Sequence, residues 1–348
     1  MSSFSINVHI DHDLKQLQDY LSGFPAQKEF IILADTNTSH YCLKHLKENF
    51  GESNESRIIT IPPGEKNKNF DQLQFILSQL AEYGANRNTL LINLGGGVIC
   101  DMGGFAASIY KRGIQYIHVP TTLLAMVDAS IGGKNGIDFN GYKNLIGTIT
   151  LPENVFISKK FLDTLPPIEK NNGIVEAFKH GLIADKAYWD KIKNDPLYNI
   201  EELIATSVKI KSTIVSGDLT EKGDRKKLNA GHTIGHAIEA LKLDEDEPVA
   251  HGEAVAAGLI AECYISNKLG YLSTEEQAEI EKVLLKVTEK IDLKKSDIND
   301  LLKKMRQDKK NTDEKISFSL IRNIGTATIN DHCNDELIEE AIQYYIKK

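Results

Sequence analysis

Cysteine is scarce in this chain and scattered. Cys42, Cys100, Cys263 and Cys333 stand far apart and form no Cys-x-x-Cys pair, which excludes a thiolate zinc centre and a disulfide framework and leaves inert thiols as the expectation. No apolar run is long enough to cross a bilayer, and the opening MSSFSINVHIDHDLKQL lacks both a basic-then-apolar segment and a small-residue cleavage site. No membrane partner is therefore expected, and the expected location is cytoplasmic. Positive charge is also short, with 41 Lys and Arg against 49 Asp and Glu and a formal net charge of -8. A nucleic-acid partner would require a basic face, so none is expected; a small anionic substrate would need only a local cationic pocket. There is no internal repeat and no low-complexity tract.

What is present is enough apolar residue, 41% of 348, for two ordinary cores, and at this length two domains are the better prior. The first half alternates short β-rich runs with helical stretches. EFIILAD, RIITI, TLLINL, QYIHV and NVFIS read as strands, and FDQLQFILSQLAEYG reads as an amphipathic helix ending at Gly84. From about Gly173 the strand signals fade, and IVEAFKHGLIAD, IEELIATSVKIKSTIV, LNAGHTIGHAIEALK, HGEAVAAGLIAECYISNKLG and STEEQAEIEKVLLKV follow as helices. The expected organisation is an α/β domain over 1–168 and an all-α domain over 169–348. The turn-prone FLDTLPPIEKNNG marks the boundary.

Chemistry-bearing residues gather in three places. TLLINL runs into Gly95, Gly96 and Gly97 and then a helix, a turn whose bare backbone N–H groups suit a dinucleotide phosphate, although glycines there also serve tight packing. The segment VPTTLLAMVDASIGGKNGIDFNGYKNLIG concentrates Thr121, Thr122, Asp128, Lys134, Lys143 and Asn144, a polar run after a strand end where a ligand site or a solvated loop would lie. In the second half, GHTIGHAIEA sets His232 and His236 on one helical face. Glu176 and His251 offer further donors from two other helices. A carboxylate with imidazoles from separate helices makes a cation site with open positions, and zinc is the natural candidate. Spacing alone would assign both His232 and His236 to that metal.

The blocks GGGVICDMGGFAASIYKRG, VPTTLLAMVDASIGGKNGID, GYKNLIGT, VEAFKHG, LNAGHTIGHAIEA and HGEAVAAG, in this order and spacing, resemble the signature of the 3-dehydroquinate synthase family over about Asp35 to Lys310. The resemblance implies a Rossmann-like N-terminal domain, a helical C-terminal domain, a cleft between them and a homodimer. It implies zinc, with cobalt as the alternative ion, held by Glu176, His232 and His251 only, with His236 facing the substrate phosphate. For NAD it implies Asp35, Asn37, Glu65, Lys68, Gly95, Gly96, Gly97, Asp101, Thr121 and Thr122. For the substrate it implies Asp128, Lys134, Asn144, Lys179, Lys211, Arg225, Asn229 and His236. Arg112 would reach a neighbouring subunit's pocket, and Lys309 or Lys310 would close the site. Ala129 stands where Ser is commoner, and Asn135 where Thr is common.

The implied reaction converts 3-deoxy-D-arabino-heptulosonate 7-phosphate to 3-dehydroquinate and phosphate, a step of the shikimate route to aromatic amino acids. A transient oxidation at C5 by NAD acidifies the C6 proton, phosphate is eliminated, the hydride returns, and ring opening and aldol closure follow. Competing readings are another sugar phosphate cyclase, a metal-dependent polyol dehydrogenase that would release NADH, and a non-catalytic protein stabilised by metal and nucleotide. Retention of the cationic and ligand positions speaks against the last.

Overall fold

The computed structural model describes residues 6–25, 28–48, 57–140, 142–307 and 316–348. The chain divides into two compact units, one ending at Pro166 and one beginning at Pro167. Pro167 also opens a helix, a position that suits proline because its missing N–H would have no helical partner. The second part of FLDTLPPIEKNNG, read from sequence as turn, is therefore helical.

The first unit runs β1 (Val8–Ile10), α1 (Lys15–Ser22), β2 (Phe30–Asp35), α2 (Thr36–Tyr41), α3 (Leu43–Lys47), β3 (Arg57–Ile61), α4 (Phe70–Glu82), β4 (Leu90–Gly95), α5 (Gly97–Ile109), β5 (Gln115–Pro120), β6 (Lys134–Phe139), β7 (Tyr142–Ile149) and β8 (Val155–Ile157). Six strands form one parallel sheet in the order β1-β8-β5-β4-β2-β3. Helices cover such a sheet, so its strands are apolar almost throughout, as in the fully buried Leu90–Gly95. On one face Ile31, Leu33, Ile59 and Leu91 pack against Leu73, Ile76 and Leu80 of α4 and Met102, Phe105 and Ala106 of α5. Each of these Ile, Leu, Met and Phe side chains stabilises the fold by about 1.5–3 kcal/mol of burial.

The strand order also sets where ligands would bind. From β2 the chain goes outward to β3 and then returns across to β4, so the connections leaving β2 and β4 diverge. Such a switch point opens a crevice at the carboxyl ends of the strands, here at Asp35 and Gly95.

The polar segment after β5 is not all loop. Its second part forms the antiparallel β6–β7 ladder, which pairs Lys134 with Ile149 and Gly136 with Gly147. A Cβ on Gly147 would lie 1.9 Å from the Asn135 carbonyl oxygen, so only glycine permits this approach.

The second unit contains α6 (Pro167–Ala184), α7 (Lys186–Ile192), α8 (Ile200–Gly217), α9 (His232–Asp244), α10 (His251–Lys268), α11 (Thr274–Val287), α12 (Ile298–Gln307) and α13 (Asp335–Lys347). Near the C-terminus it adds β9 (Ile316–Phe318) paired with β12 (Asp331–Cys333), and β10 (Ile321–Asn323) paired with β11 (Thr326–Ala327). The helical reading holds, but these two ladders correct its strictly all-α form; strands this short carry no usable periodicity. Helix α10 is buried on every side over Ala254–Cys263 and is the axis of the unit, touching α6, α9, α11 and α13. It meets α9 at glycines, since a Cβ on Gly258 would fall 2.0 Å from the Gly231 carbonyl oxygen.

Candidate functional site

In the first unit, the residues expected around NAD gather at the carboxyl ends of the strands. Asp35 ends β2 and caps α2, accepting the Thr38 N–H at 2.9 Å, and exposed Asn37 follows in that helix. Gly95, Gly96 and Gly97 form the turn from β4 into α5. A Cβ on Gly96 would meet Thr122 Cγ2 at 3.0 Å and one on Gly95 would clash with Ile99, whereas at Gly97 the nearest atom, Ala129 Cβ, is 3.4 Å away. Gly95 and Gly96 thus serve close packing as well as any ligand. The Thr121 hydroxyl beside them is buried with no hydrogen-bond partner among the described residues. A buried polar atom in that state suits a ligand that supplies the missing partner.

Lys68 is the hub of this unit. Its ammonium is almost wholly buried and donates at 2.6 Å to both Asp101 and Asn144, with Glu65 at 3.7 Å. Burial works against its charge, but Asp101, Glu65 and Asp138 outweigh that and hold its pKa above the ordinary lysine value. Lys143 reaches Glu65 at 3.5 Å. Asp138 carries no sequence signal: it accepts the Asn144 N–H at 2.8 Å, and burial pushes its pKa up to about 6 although Lys68 pulls the other way. Asn144 itself sits at φ 50.

Other expected residues of this unit are placed less tightly. Asp128 lies in a single π-helical turn, Ala125–Ala129, an irregularity frequent at functional sites. Lys134 opens β6 and is exposed. Asn135 is buried and donates to the carbonyls of Gly133 and Thr150 at 3.0 and 2.9 Å. Arg112 is exposed at φ 67, beyond the far end of α5 and about 20 Å of helix from the glycine turn. Within the unit it does not join the others.

In the second unit, His232 and His251 are the first residues of α9 and α10, and both aim at Glu176 of α6. The Nε2 atom of each lies 3.5 Å from Glu176 Oε1. The opposite ring nitrogens explain the aim: His232 Nδ1 meets the Ala230 carbonyl at 3.1 Å, and His251 Nδ1 faces Glu239 at 3.6 Å. Fixing one imidazole nitrogen this way turns the other toward a metal position. Burial, then the Lys179 charge, hold the His232 pKa down at about 3. Burial opposes protonation of His251 as well, but Glu176 and Glu239 raise its pKa to about 9. The carboxylates therefore already draw positive charge to this point, and Lys179 pairs with Glu176 beside it.

Donor atoms of Glu176, His232 and His251 lie within 4.8 Å of one another, and so do those of His236, Glu239 and His251. The ring orientations favour the first set, because both Nε2 atoms converge on Glu176. The His236 ring lies beside that of His232, with centroids 5.0 Å apart. The donors suit zinc or a similar divalent ion.

Beyond the histidines, Lys211 on α8 and Arg225 in the following 3-10 turn are buried cations. Arg225 donates to the Leu219 carbonyl at 2.6 Å, and Asn229 donates to Glu221 at 2.5 Å. Asp218 accepts three backbone N–H groups of this loop. Although burial works the other way, the hydrogen bonds from Gly223, Lys222 and Arg225 hold its carboxyl below the usual range. Lys309 and Lys310 lie outside the described residues. Glu239, Glu221, Asp218 and Asp138 escaped the sequence reading; only Glu239, one helical turn after His236, offered a spacing signal.

The 3-dehydroquinate synthase N-terminal family model matches residues 58–172, and the C-terminal model matches 173–311. The chain belongs to the 3-dehydroquinate synthase family. A 3-dehydroquinate synthase of Parabacteroides distasonis is 41% identical over 347 residues, 97% of each chain. It follows that the chain is an enzyme of this type, a cyclase that eliminates phosphate. Among solved structures it is similar to 2-deoxy-scyllo-inosose synthase complexed with carbaglucose-6-phosphate, NAD+ and Co2+, with TM-score 0.85, 26% identity, and 97% and 96% of the two chains covered. It shares its fold with 2-epi-5-epi-valiolone synthase from Streptomyces hygroscopicus subsp. jinggangensis, solved with NAD+ and Zn2+ bound, with TM-score 0.85, 23% identity, and 100% and 98% covered. No helix among the described residues is long and apolar enough to cross a membrane.

Proposed function

We propose that the chain converts 3-deoxy-D-arabino-heptulosonate 7-phosphate to 3-dehydroquinate and phosphate through transient oxidation, elimination, re-reduction and intramolecular aldol closure, as a step of the shikimate route. The observation that carries this reading is the convergence of Glu176, His232 and His251, donors from three helices, in a chain matched by both family models. Bound at these residues, zinc supplies a Lewis acid at the substrate's hydroxyls, and NAD at the β2–β4 crevice supplies a hydride acceptor that is restored within the turnover. Cobalt is the alternative ion.

For NAD we assign Asp35, Asn37, Glu65, Lys68, Asp101, the Gly95–Gly97 turn, Thr121 and Thr122. Lys68 acts there by holding Asp101 and Asn144 in place, since its ammonium is already committed to both. Lys211 and Arg225 are assigned the substrate carboxylate, because a buried cation meets an anion with little screening and a guanidinium can engage both oxygens. Lys134, Asn144 and His236 are assigned the phosphate. Asp128, Lys179 and Asn229 orient the hydroxyls and the open chain, with Lys309 or Lys310 closing the site. Holding the open chain in one reactive conformer is the protein's main task in the aldol closure.

The working assembly is a cytoplasmic homodimer in which Arg112 serves the neighbouring subunit, consistent with its place beyond the far end of α5. The domains are assigned as 1–168 for NAD and 169–348 for metal and substrate. Phosphate release with catalytic amounts of NAD tests the reading.

A further inference from the structure

The segment between α8 and α9 carries Arg225 and Asn229, and it is organised around one carboxylate. Asp218 caps the C-terminus of α8, its own N–H donating to the Val215 carbonyl at 3.1 Å. Its Oδ1 accepts the N–H of Lys222 at 3.0 Å, and its Oδ2 accepts those of Gly223 at 2.7 Å and Arg225 at 3.1 Å. The loop then closes on itself. The Arg225 guanidinium turns back to the Leu219 carbonyl at 2.6 Å, Asn229 binds Glu221 at 2.5 Å, and Glu221 is held at φ 59.

We propose that Asp218 is a positioning residue for recognition of the substrate carboxylate, acting through the backbone of Arg225 to fix where the buried guanidinium points. This rests on the assignment of Arg225 to that carboxylate. A carboxylate is acceptor-only at both oxygens, so it alone can take three converging N–H groups. An asparagine of the same shape would set its NH2 against at least one donor and open the loop. A displacement near 1 Å at a substrate-positioning group is enough to cost on the order of 100-fold in catalysis. The hydrogen bonds of Asp218 go to the backbone of Lys222, Gly223 and Arg225, so its effect is expected on substrate terms before metal or NAD.

The test uses the full-length holoenzyme and compares Asp218→Asn, Arg225→Lys and the double variant for KM, kcat, NAD affinity, metal content and thermal midpoint. Arg225→Lys is expected to raise KM for the heptulosonate phosphate at least tenfold. Asp218→Asn should raise it about tenfold with NAD affinity and metal content unchanged. The double variant should be no worse than Arg225→Lys within twofold, since residues that act through one another are not additive. Formate, added to Asp218→Gly to supply the missing carboxylate, should lower its KM toward the original value and leave Arg225→Lys unaffected. A raised KM in Arg225→Lys with an unchanged KM in Asp218→Asn overturns the inference, as do fully multiplicative effects. A metal-free or unfolded Asp218→Asn that formate does not restore in Asp218→Gly would make the hub merely structural and overturns it equally. An unchanged KM in Arg225→Lys sinks the assignment of Arg225 itself, and the inference with it.

Discussion

Glu262, in the middle of α10, accepts the backbone N–H of Gly231 at 2.5 Å and thereby caps the start of a different helix, α9. Its other oxygen takes the Ile234 N–H at 3.3 Å. Glu262 is 2% exposed, and its carboxylate occupies the positive end of the helix whose first residue is His232. The same device serves α10, where Asn172 of α6 accepts the N–H of Gly252, next to His251, at 2.8 Å. Each histidine of the Glu176 cluster thus stands at a helix start that a neighbouring helix holds in place.

Glu262→Gln should therefore weaken both the fold and the metal site. A glutamine keeps one acceptor but turns an NH2 toward backbone donors, a buried mismatch that costs about 1–3 kcal/mol. Thermal unfolding should show a lower midpoint, and dialysis should strip zinc from the variant faster than from the parent. An unchanged midpoint together with unchanged zinc retention would refute the capping argument.

The Asp138–Lys68 pair makes a pH prediction. Asp138 has a folded pKa raised from 3.8 to about 6, so the folded state binds its proton more tightly than the unfolded chain does. Its contribution to stability is fully present below pH 4 and is lost as pH rises through 6. Asp138→Asn, which keeps an acceptor for the Asn144 N–H, should be less dependent on pH between 4 and 6 and more stable at pH 7. After allowance for solvent screening the gain is about 1 kcal/mol. Denaturant unfolding at pH 4, 5, 6 and 7 checks it; a steeper profile in the variant contradicts it.

His232→Ala, His251→Ala and Glu176→Ala should each lose zinc and activity together, whereas His236→Ala should keep zinc and lose most turnover. Three protein ligands leave positions open for substrate oxygens, while a fourth would close the site as in structural zinc centres. Elemental analysis after dialysis of all four variants decides it. A metal-free His236→Ala would restore the pairing of His232 with His236 that their spacing suggests.

If Arg112 acts across a dimer, Arg112→Ala and Arg225→Ala should each be nearly inactive alone. Refolded together they should recover up to a quarter of the parent activity, because about half of the molecules are then mixed dimers with one intact site. No recovery, with mixed dimers demonstrated by tagging, would place Arg112 in its own subunit's site or outside any.

The legible parts of this protein were those governed by periodicity and residue type. Five sheet strands were visible as apolar runs because both faces are covered, and the histidine-bearing helices were visible because glycines flank the histidines. Strand β1 carries no apolar run because His9 interrupts its three half-buried residues, whereas β8, equally short, is apolar and buried throughout; the β6–β7 hairpin is hidden because its glycines and polar residues look like a loop. The supports of the site were hidden for a different reason. Glu262 and Asn172 cap backbone groups 31 and 80 positions away, and Asp218 bonds N–H groups that every residue type except proline carries, so nothing in the sequence marks them as partners.

Stoichiometry separates transient from net oxidation of the substrate. With the heptulosonate phosphate in large excess over NAD, released phosphate and absorbance at the NADH band are followed together in one reaction. Many phosphates should be released per NAD with no net NADH, because the hydride that leaves the substrate returns within the turnover. NADH accumulating in step with product, and stopping when NAD is spent, would contradict it.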